Sequence, residues 1–341
     1  MRVFLCPEVS EMTTITNTSR LQSDRSLRRF DDVRGLLPDV ENPSPIVRLN
    51  RVDPARLAET YLKLEWLNPF GSLKDRTAAF LLAGLSERGE LAGKEIVEAS
   101  SGNTAIALAA LASFFGTRLT TTIPDGVPEE KKVILRMLGA EVWETPDDLC
   151  PVDHPKDGAI ALARSLAASE NGERFAAPQQ YENADNIRAH YETTGPEIWS
   201  QTEGRVTWFV AGYGTTGTLT GVGRYLKEQD PTVRVLGVEP EPGHRLPGLK
   251  SFKEAKVPGL LDRDVIDESV VVSDEDAYRV TKEIWRDEAL MVGPSTGAVV
   301  HAAAQIDLGP DDVVVAISAD SGMKYTSYFG DILGDEGTPT I

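Results

Sequence analysis

The sequence predicts an α/β protein in which mainly parallel sheets carry helices on both faces. Three observations lead there. Short continuous apolar runs such as VTWFVAG and DVVVAISAD read as strands buried on both sides. These runs alternate with helical patterns such as AIALAALASFFG and TGVGRYLKEQ. The junctions between them are rich in Gly, Ser, Thr and Asn, and in such sheets ligands bind beyond the carboxyl ends of the strands.

Taken in order, residues 1–40 mix Ser, Thr, Asp and Arg without sustained periodicity, and read as an extension with one short helix around Leu27–Leu37. IVRLNRV and TYLKLEWL read as strands, the second leading through NPFGS into a helix that begins near Lys74. EIVEAS is the next strand, SGNT a loop, and AIALAALASFFG a helix. RLTTTIP and EEKKVILRMLG form the following strand and helix. VTWFVAG and VRVLGVEP are buried strands flanking the helix TGVGRYLKEQ, and DVVVAISAD closes the series. No internal repeat is present.

The chain has 341 residues, room for two domains at roughly 100–200 residues each. Its net charge of −18 argues against binding a nucleic-acid backbone or docking on anionic lipid. An anionic ligand would have to be gripped locally, against the sign of the whole molecule. Two cysteines, Cys6 and Cys150, cannot build a disulfide framework, and no Cys/His spacing suggests a metal. The four histidines, His154, His190, His244 and His301, are scattered and read as surface or packing residues. MRVFL lacks the apolar core of a signal peptide, and no run is long enough to span a membrane, so a cytoplasmic protein is expected. Met12 is a second candidate start.

Three junctions and the end of the last strand carry candidate chemistry. In Asn68-Pro-Phe-Gly-Ser-Leu-Lys74 a lysine opens a helix, where the helix dipole already places positive potential. That field, with burial, lowers an amine's pKa and makes it a better nucleophile toward an aldehyde. A surface lysine after a Pro/Gly turn fits the same residues. Ser100-Ser101-Gly102-Asn103-Thr104 gathers hydroxyls and backbone N–H groups at a helix start, an anion site or a simple cap. Gly212-Tyr-Gly-Thr-Thr-Gly-Thr218 lets backbone approach an oxyanion and adds threonine donors. It has neither the Gly-Lys-Ser/Thr of a nucleotide P-loop nor the acid of a dinucleotide fingerprint, so a phosphate without a nucleotide suits it. Asp320-Ser321-Gly322 places a hydroxyl where it can meet a neutral pyridine nitrogen. Together these specify a pyridoxal 5'-phosphate site.

The sequence resembles the cysteine synthase / cystathionine β-synthase family of fold type II pyridoxal-phosphate enzymes, from about Pro45 to Phe329. The motifs are NPFGSLKDR, SSGNTAIALA, QQYENADNIRAHYETTGPEIW, GYGTTGTLTGVGRYLK and SADSGMKYTSYF. The resemblance implies that Lys74 carries the cofactor as an internal aldimine and Asn103 meets its ring hydroxyl. It places Ser100, Ser101, Thr104 and Gln180 on the substrate's α-carboxylate. It assigns Gly214, Thr215, Thr216, Gly217 and Thr218 to the phosphate, and Ser321 to the pyridine nitrogen.

Thr216 in place of a glycine, with STGAVVHAA after Pro294, resembles the O-phosphoserine-using or sulfur-carrier-dependent cysteine synthases. In that subgroup a basic residue reads the substrate phosphate. The matching position is Lys250, with Arg245 as a second candidate; solvated loop charges are the alternative. The implied reaction is β-replacement on O-acetyl-L-serine or O-phospho-L-serine by a sulfur nucleophile through an aminoacrylate, giving L-cysteine. Alternatives are a cystathionine β-synthase, a 2,3-diaminopropionate-forming enzyme, a dehydratase-type lyase and a non-catalytic homologue. The expected architecture is an extension (1–44), a smaller domain with Lys74 (68–183), a larger phosphate-binding domain (45–67 with 184–330) and a tail (331–341). A homodimer is implied, with a small-molecule or carrier-protein sulfur donor.

Overall fold

The computed structural model describes residues 24–52, 58–146, 158–168 and 173–326. Cys6, Cys150, His154, both candidate starts and the tail lie outside them. Two sheets organise the described residues. The larger has six strands: β1 (Ile46–Arg48), β2 (Glu59–Leu64), β7 (Trp208–Gly212), β8 (Arg234–Pro240), β9 (Glu268–Val272) and β10 (Val313–Ser318), in the order β1-β2-β10-β7-β8-β9. β1 is antiparallel to β2 and the other pairs are parallel. The smaller is parallel throughout: β3 (Glu95–Ala99), β4 (Leu119–Pro124), β5 (Glu141–Thr145) and β6 (Phe175–Ala176), in the order β5-β4-β3-β6.

The apolar runs are strands because both of their faces are covered. All six residues of β10 and of β4 are buried. Along one face of the larger sheet Val210, Leu236 and Val314 pack with Val299 and Ala303 of α9 (Pro294–Ala303) and Ile284 of α8 (Asp274–Asp287). On the other face Phe209, Val235 and Val315 meet Leu219, Val222 and Leu226 of α7 (Gly217–Gln229). The smaller sheet has its own core, in which Ile96 and Leu119 join Ala78, Leu82 and Leu85 of α1 (Lys74–Glu87) and Leu108 and Leu111 of α2 (Asn103–Ala112). Alanines let α2 sit close to its neighbours.

Two elements differ from the sequence expectation. TYLKLEWL leaves the sheet after Leu64 and forms a 3-10 turn at Glu65–Leu67, because the Glu65 carboxylate turns inward to bond Arg76 and Ser44. The helix expected around Leu27–Leu37 is two 3-10 turns, Arg25–Leu27 and Val33–Leu36. Asp24 and Asp32 cap them through their carboxylates, and Arg28 in the left-handed region ends the first.

Each sheet has a point where its strand order reverses. In the larger sheet β8 and β9 extend to one side of β7, while β10 and β2 lie on the other. In the smaller, β4 and β5 extend to one side of β3, with β6 on the other. Crevices open at the carboxyl ends of strands flanking such points.

Candidate active site

The cavity at the reversal point of the larger sheet is lined by Ala211 and Gly212 from β7, and by Ile317, Ala319 and Asp320 at the end of β10. Ser72–Lys74, Asn103, Gly214–Thr216 and Thr218 complete one side. Pro247–Leu249 with Ser295 and Val299 complete the other.

Lys74 arrives through a turn built by side chains. Asn68 Nδ2 donates to Glu65 Oε2 at 2.7 Å and to the Ser72 carbonyl at 3.0 Å, and Gly71 takes φ +80° to turn the chain. Asp75 accepts the Phe70 N–H at 2.6 Å, and the Leu73 N–H donates to the Ala319 carbonyl at 2.8 Å. The Lys74 amine emerges at the first position of α1, 3.4 Å from Thr215 Oγ1. Burial lowers its pKa to about 8. Burial also pushes Asp75 up to about 7, against the Phe70 N–H and the Lys324 charge.

The loop between β7 and α7 fits a phosphate. Thr216 adopts φ +66°, and its buried Oγ1 has no hydrogen-bond partner among the described residues. A Cβ on Gly214 would come 2.7 Å from the Gly248 carbonyl oxygen, so the backbones there meet too closely for a side chain. The N-terminus of α7 opens at the same place and adds its dipole. Asn186 Nδ2 holds Thr215 Oγ1 at 3.0 Å and the Gln180 carbonyl at 2.7 Å. His190 lies behind the loop, with Nε2 3.2 Å from Thr218 Oγ1 and Nδ1 2.9 Å from Thr194 Oγ1. Burial, then the charges of Lys74 and Arg76, lower its pKa to about 3, so it is neutral. Gly217 does not line the cavity; it packs against Asn186, whose Oδ1 lies 2.3 Å from where a Cβ would stand.

Asn103 comes from the reversal point of the smaller sheet, where β3 gives way to α2. Thr121 Oγ1 donates to the Ser100 carbonyl at 2.6 Å and so fixes the loop that holds Ser100 and Ser101. Thr104 Oγ1 donates to Gln180 Oε1 at 2.7 Å. Glu98, at the end of β3, accepts the Gln179 N–H at 2.9 Å, and burial pushes its carboxyl up to about 7. Ser100, Ser101, Thr104 and Gln180 do not line the cavity, although Asn103 between Ser101 and Thr104 does.

Ser321 and Arg245 lie elsewhere than the sequence places them. Ser321 does not line the cavity: Asp320 does, and in extended chain the next side chain points the opposite way. Ser321 pairs with Val292 through backbone, donates from Oγ to the Met291 carbonyl at 3.1 Å and caps the following turn through the Met323 N–H. A serine that does line the cavity on the far side of the phosphate loop's threonines is Ser295, in the first turn of α9 after Pro294. The run STGAVVHAA carried that signal, a serine at a helix start after Gly-Pro, but only as a mark of subtype. Arg245 is exposed and lines a different surface groove with Asp274, Tyr278 and Arg279. His190 is fully buried, as a packing histidine is, and supports the Thr218 hydroxyl from behind. Lys250 stays near the site without lining it, its ammonium 5.2 Å from the centre of the Tyr181 ring, one residue beyond Gln180.

The family model described as "Pyridoxal-phosphate dependent enzyme" matches residues 37–320. Cysteine synthase B of Escherichia coli (strain K12) is 39% identical over 292 residues, covering 84% of this chain and 94% of that protein. A probable cysteine synthase of Bacillus subtilis (strain 168) is 40% identical over 305 residues, covering 85% of this chain and 95% of that protein. Among solved structures, a cysteine synthase from Entamoeba histolytica superposes with a TM-score of 0.81 at 28% identity, over 94% of this chain and 95% of that one. An O-ureido-L-serine synthase gives a TM-score of 0.80 at 33% identity, over 91% of this chain and 98% of that one. By its motifs, its paired sheets and these likenesses, the chain belongs to the cysteine synthase family of pyridoxal-phosphate dependent enzymes.

Proposed function

We propose that the protein forms L-cysteine by replacing the β-substituent of an activated serine with a sulfur nucleophile. One observation carries the reading. A lysine amine that burial brings to about pKa 8 faces a loop with an orphaned threonine hydroxyl at a strand-order reversal, in a chain 39% identical to a cysteine synthase B. The cofactor, when bound, supplies an aldehyde for an amine and an electron sink at the substrate's Cα. In this reading Lys74 bonds the cofactor and moves the Cα proton. Gly214, Thr215, Thr216 and Thr218 hold its phosphate, with Gly217 giving the close approach of α7. Asn103 meets the ring hydroxyl. Ser295 takes the pyridine-nitrogen role first assigned to Ser321. A hydroxyl there leaves that nitrogen without a full proton, which favours loss of a β-substituent over transamination. Ser100, Ser101, Thr104 and Gln180 grip the substrate carboxylate and exclude water when their loop closes.

The exchange of serines gives a direct contrast. Ser295→Ala should shift the absorption of the bound cofactor and lower turnover by roughly 10-fold, the scale of one buried hydrogen bond. Ser321→Ala should leave both near wild type. The reverse pattern would return the role to Ser321.

Lys250 is proposed to read an anionic leaving group. O-acetyl-L-serine and O-phospho-L-serine, added separately, should each change the cofactor spectrum if used as donor. Lys250→Ala should weaken the phospho-donor selectively, by roughly 10-fold, the lower end for one charge-assisted contact. Equal loss with both donors removes the assignment. The structural likeness to an O-ureido-L-serine synthase keeps a second reading, in which the nucleophile at the β-carbon is oxygen rather than sulfur. Competition of sulfide with hydroxyurea separates the two.

The resemblance also supports a homodimer and a sulfur donor that is either a small molecule or a carrier protein. Separate sheets with separate cores support a smaller domain at 68–183 and a larger one from 45–67 with 184–330. Among the described residues no helix is long and apolar enough to cross a membrane.

A further inference from the structure

Asn103 is gripped at both ends of its amide by a segment 217 and 221 residues further along the chain. Its Nδ2 donates to Asp320 Oδ2 at 2.6 Å, and its Oδ1 accepts from Lys324 Nζ at 2.8 Å. An amide has two orientations related by a flip, and these partners permit one. Reversal would set the carbonyl against a carboxylate and the NH₂ against an ammonium. Asp320 is itself held from several directions. Its Oδ2 accepts the Tyr325 hydroxyl, its carbonyl accepts the Gly293 N–H at 2.9 Å, and its backbone bridges to Ser72. Its Oδ1 lies 2.2 Å from where a Cβ on Gly293 would stand, so that glycine makes room for the carboxylate. Lys324 Nζ donates to the Phe70 carbonyl as well, at 3.1 Å, tying the Asn103 amide to the turn that delivers Lys74.

We propose that Asp320, completed by Lys324, is a positioning residue that locks the Asn103 amide with one N–H engaged and the other left for the cofactor's ring hydroxyl. The NH₂ has two hydrogens; Asp320 takes one, and Asn103 lines the cavity with the other to give. Without the lock, the amide would spend part of its time flipped, offering an acceptor where a donor is needed. This rests on the reading that Asn103 meets the ring hydroxyl.

The test compares Asp320→Leu, which keeps the size and removes the acceptor, with Asp320→Asn, which can keep an acceptor oxygen at the same place. The readouts are the affinity of cofactor-free enzyme for pyridoxal 5'-phosphate and the position of the bound cofactor's absorption band. Asp320→Leu is expected to weaken affinity roughly 10-fold and shift the band, while Asp320→Asn stays within about threefold of wild type. Asn103→Ala should do what Asp320→Leu does, and the double variant should be no worse than Asn103→Ala, since a residue acting through another adds nothing once that one is gone. If Asp320→Leu does not fold, Lys324→Met carries the same comparison, alone and with Asn103→Ala. If Asn103→Ala changes neither readout, the Asn103 reading falls and the lock with it. If Asn103→Ala weakens binding but Asp320→Leu is silent, or its effect adds in full to that of Asn103→Ala, the lock alone is overturned.

Discussion

Lys74→Ala is expected to abolish turnover, by at least a thousandfold, in a protein that still folds. The loss follows from two tasks resting on one amine: bonding the cofactor's aldehyde carbon, and taking and returning the proton at the substrate's Cα. Proton transfer by a placed side chain alone is worth about 10²–10⁴-fold. Folding should survive because among the described residues the amine makes a single long hydrogen bond, 3.4 Å to Thr215, and its burial disfavours its charge. The same amine gives a pH signature. An ordinary lysine is neutral in roughly one molecule in a thousand at pH 7.5. With a pKa of about 8, roughly a quarter of the Lys74 amines are neutral at that pH. Capture of pyridoxal phosphate by cofactor-free enzyme should therefore rise with pH and level off just above 8. A stopped-flow profile still climbing at pH 10 would show that burial does not shift this lysine, and turnover within tenfold of wild type in Lys74→Ala would remove it from the reaction.

The parts of the cavity legible in the sequence are those whose residues are neighbours along the chain. Lys74 after NPFGS, and the run from Gly214 to Thr218 after a buried strand, lie where a strand must hand over to a helix. A short segment thus specifies both the backbone and the chemistry. For the serines Ser295 and Ser321, a short segment does not carry this information. Which of them faces the cavity depends on the alternation after β10 and on the backbone pairing of Ser321 with Val292, a long-range matter. Arg245 departs for a related reason: within one loop Pro247–Leu249 line the cavity while Arg245 lines a separate groove. The Asp320 and Lys324 grip on Asn103 was hidden by a separation of more than two hundred residues. The burial of Glu65 and Glu197 is hidden for another reason: charged residues are ordinarily exposed and nothing local marks these as paired.

Those two carboxylates give the largest expected effect on stability. Arg76 is buried in α1 and bonds Glu65 through Nε at 2.7 Å and Nη2 at 2.9 Å, and Glu197 through Nη1 and through Nη2 at 2.8 Å. Glu197, in α6 (Gly195–Gln201), also accepts from Lys63 of β2 at 2.6 Å. Two cations and two anions balance, and the cluster joins the helix that carries Lys74 to the strand and helix beside it. Burial pushes Glu65 up, but Arg76 and Lys63 outweigh it and leave its carboxyl at about 2. Arg76→Met leaves one buried carboxylate without a counterion, a loss of about 3–5 kcal/mol and a fall in Tm of roughly 10 °C. The sign of its pH dependence follows from Glu65. A depressed folded pKa stabilises above the ordinary carboxylate value and loses that contribution as pH falls toward 2. The deficit of Arg76→Met should therefore be largest near neutrality and shrink below about pH 4.5. Arg76→Met with Glu65→Gln restores the balance, leaving the Lys63–Glu197 pair intact, and should recover much of the stability. Denaturant titrations of the single and double variants at pH 7 and pH 4 decide it. A double variant no more stable than the single would mean that Arg76 acts by packing its stem rather than by neutralising charge.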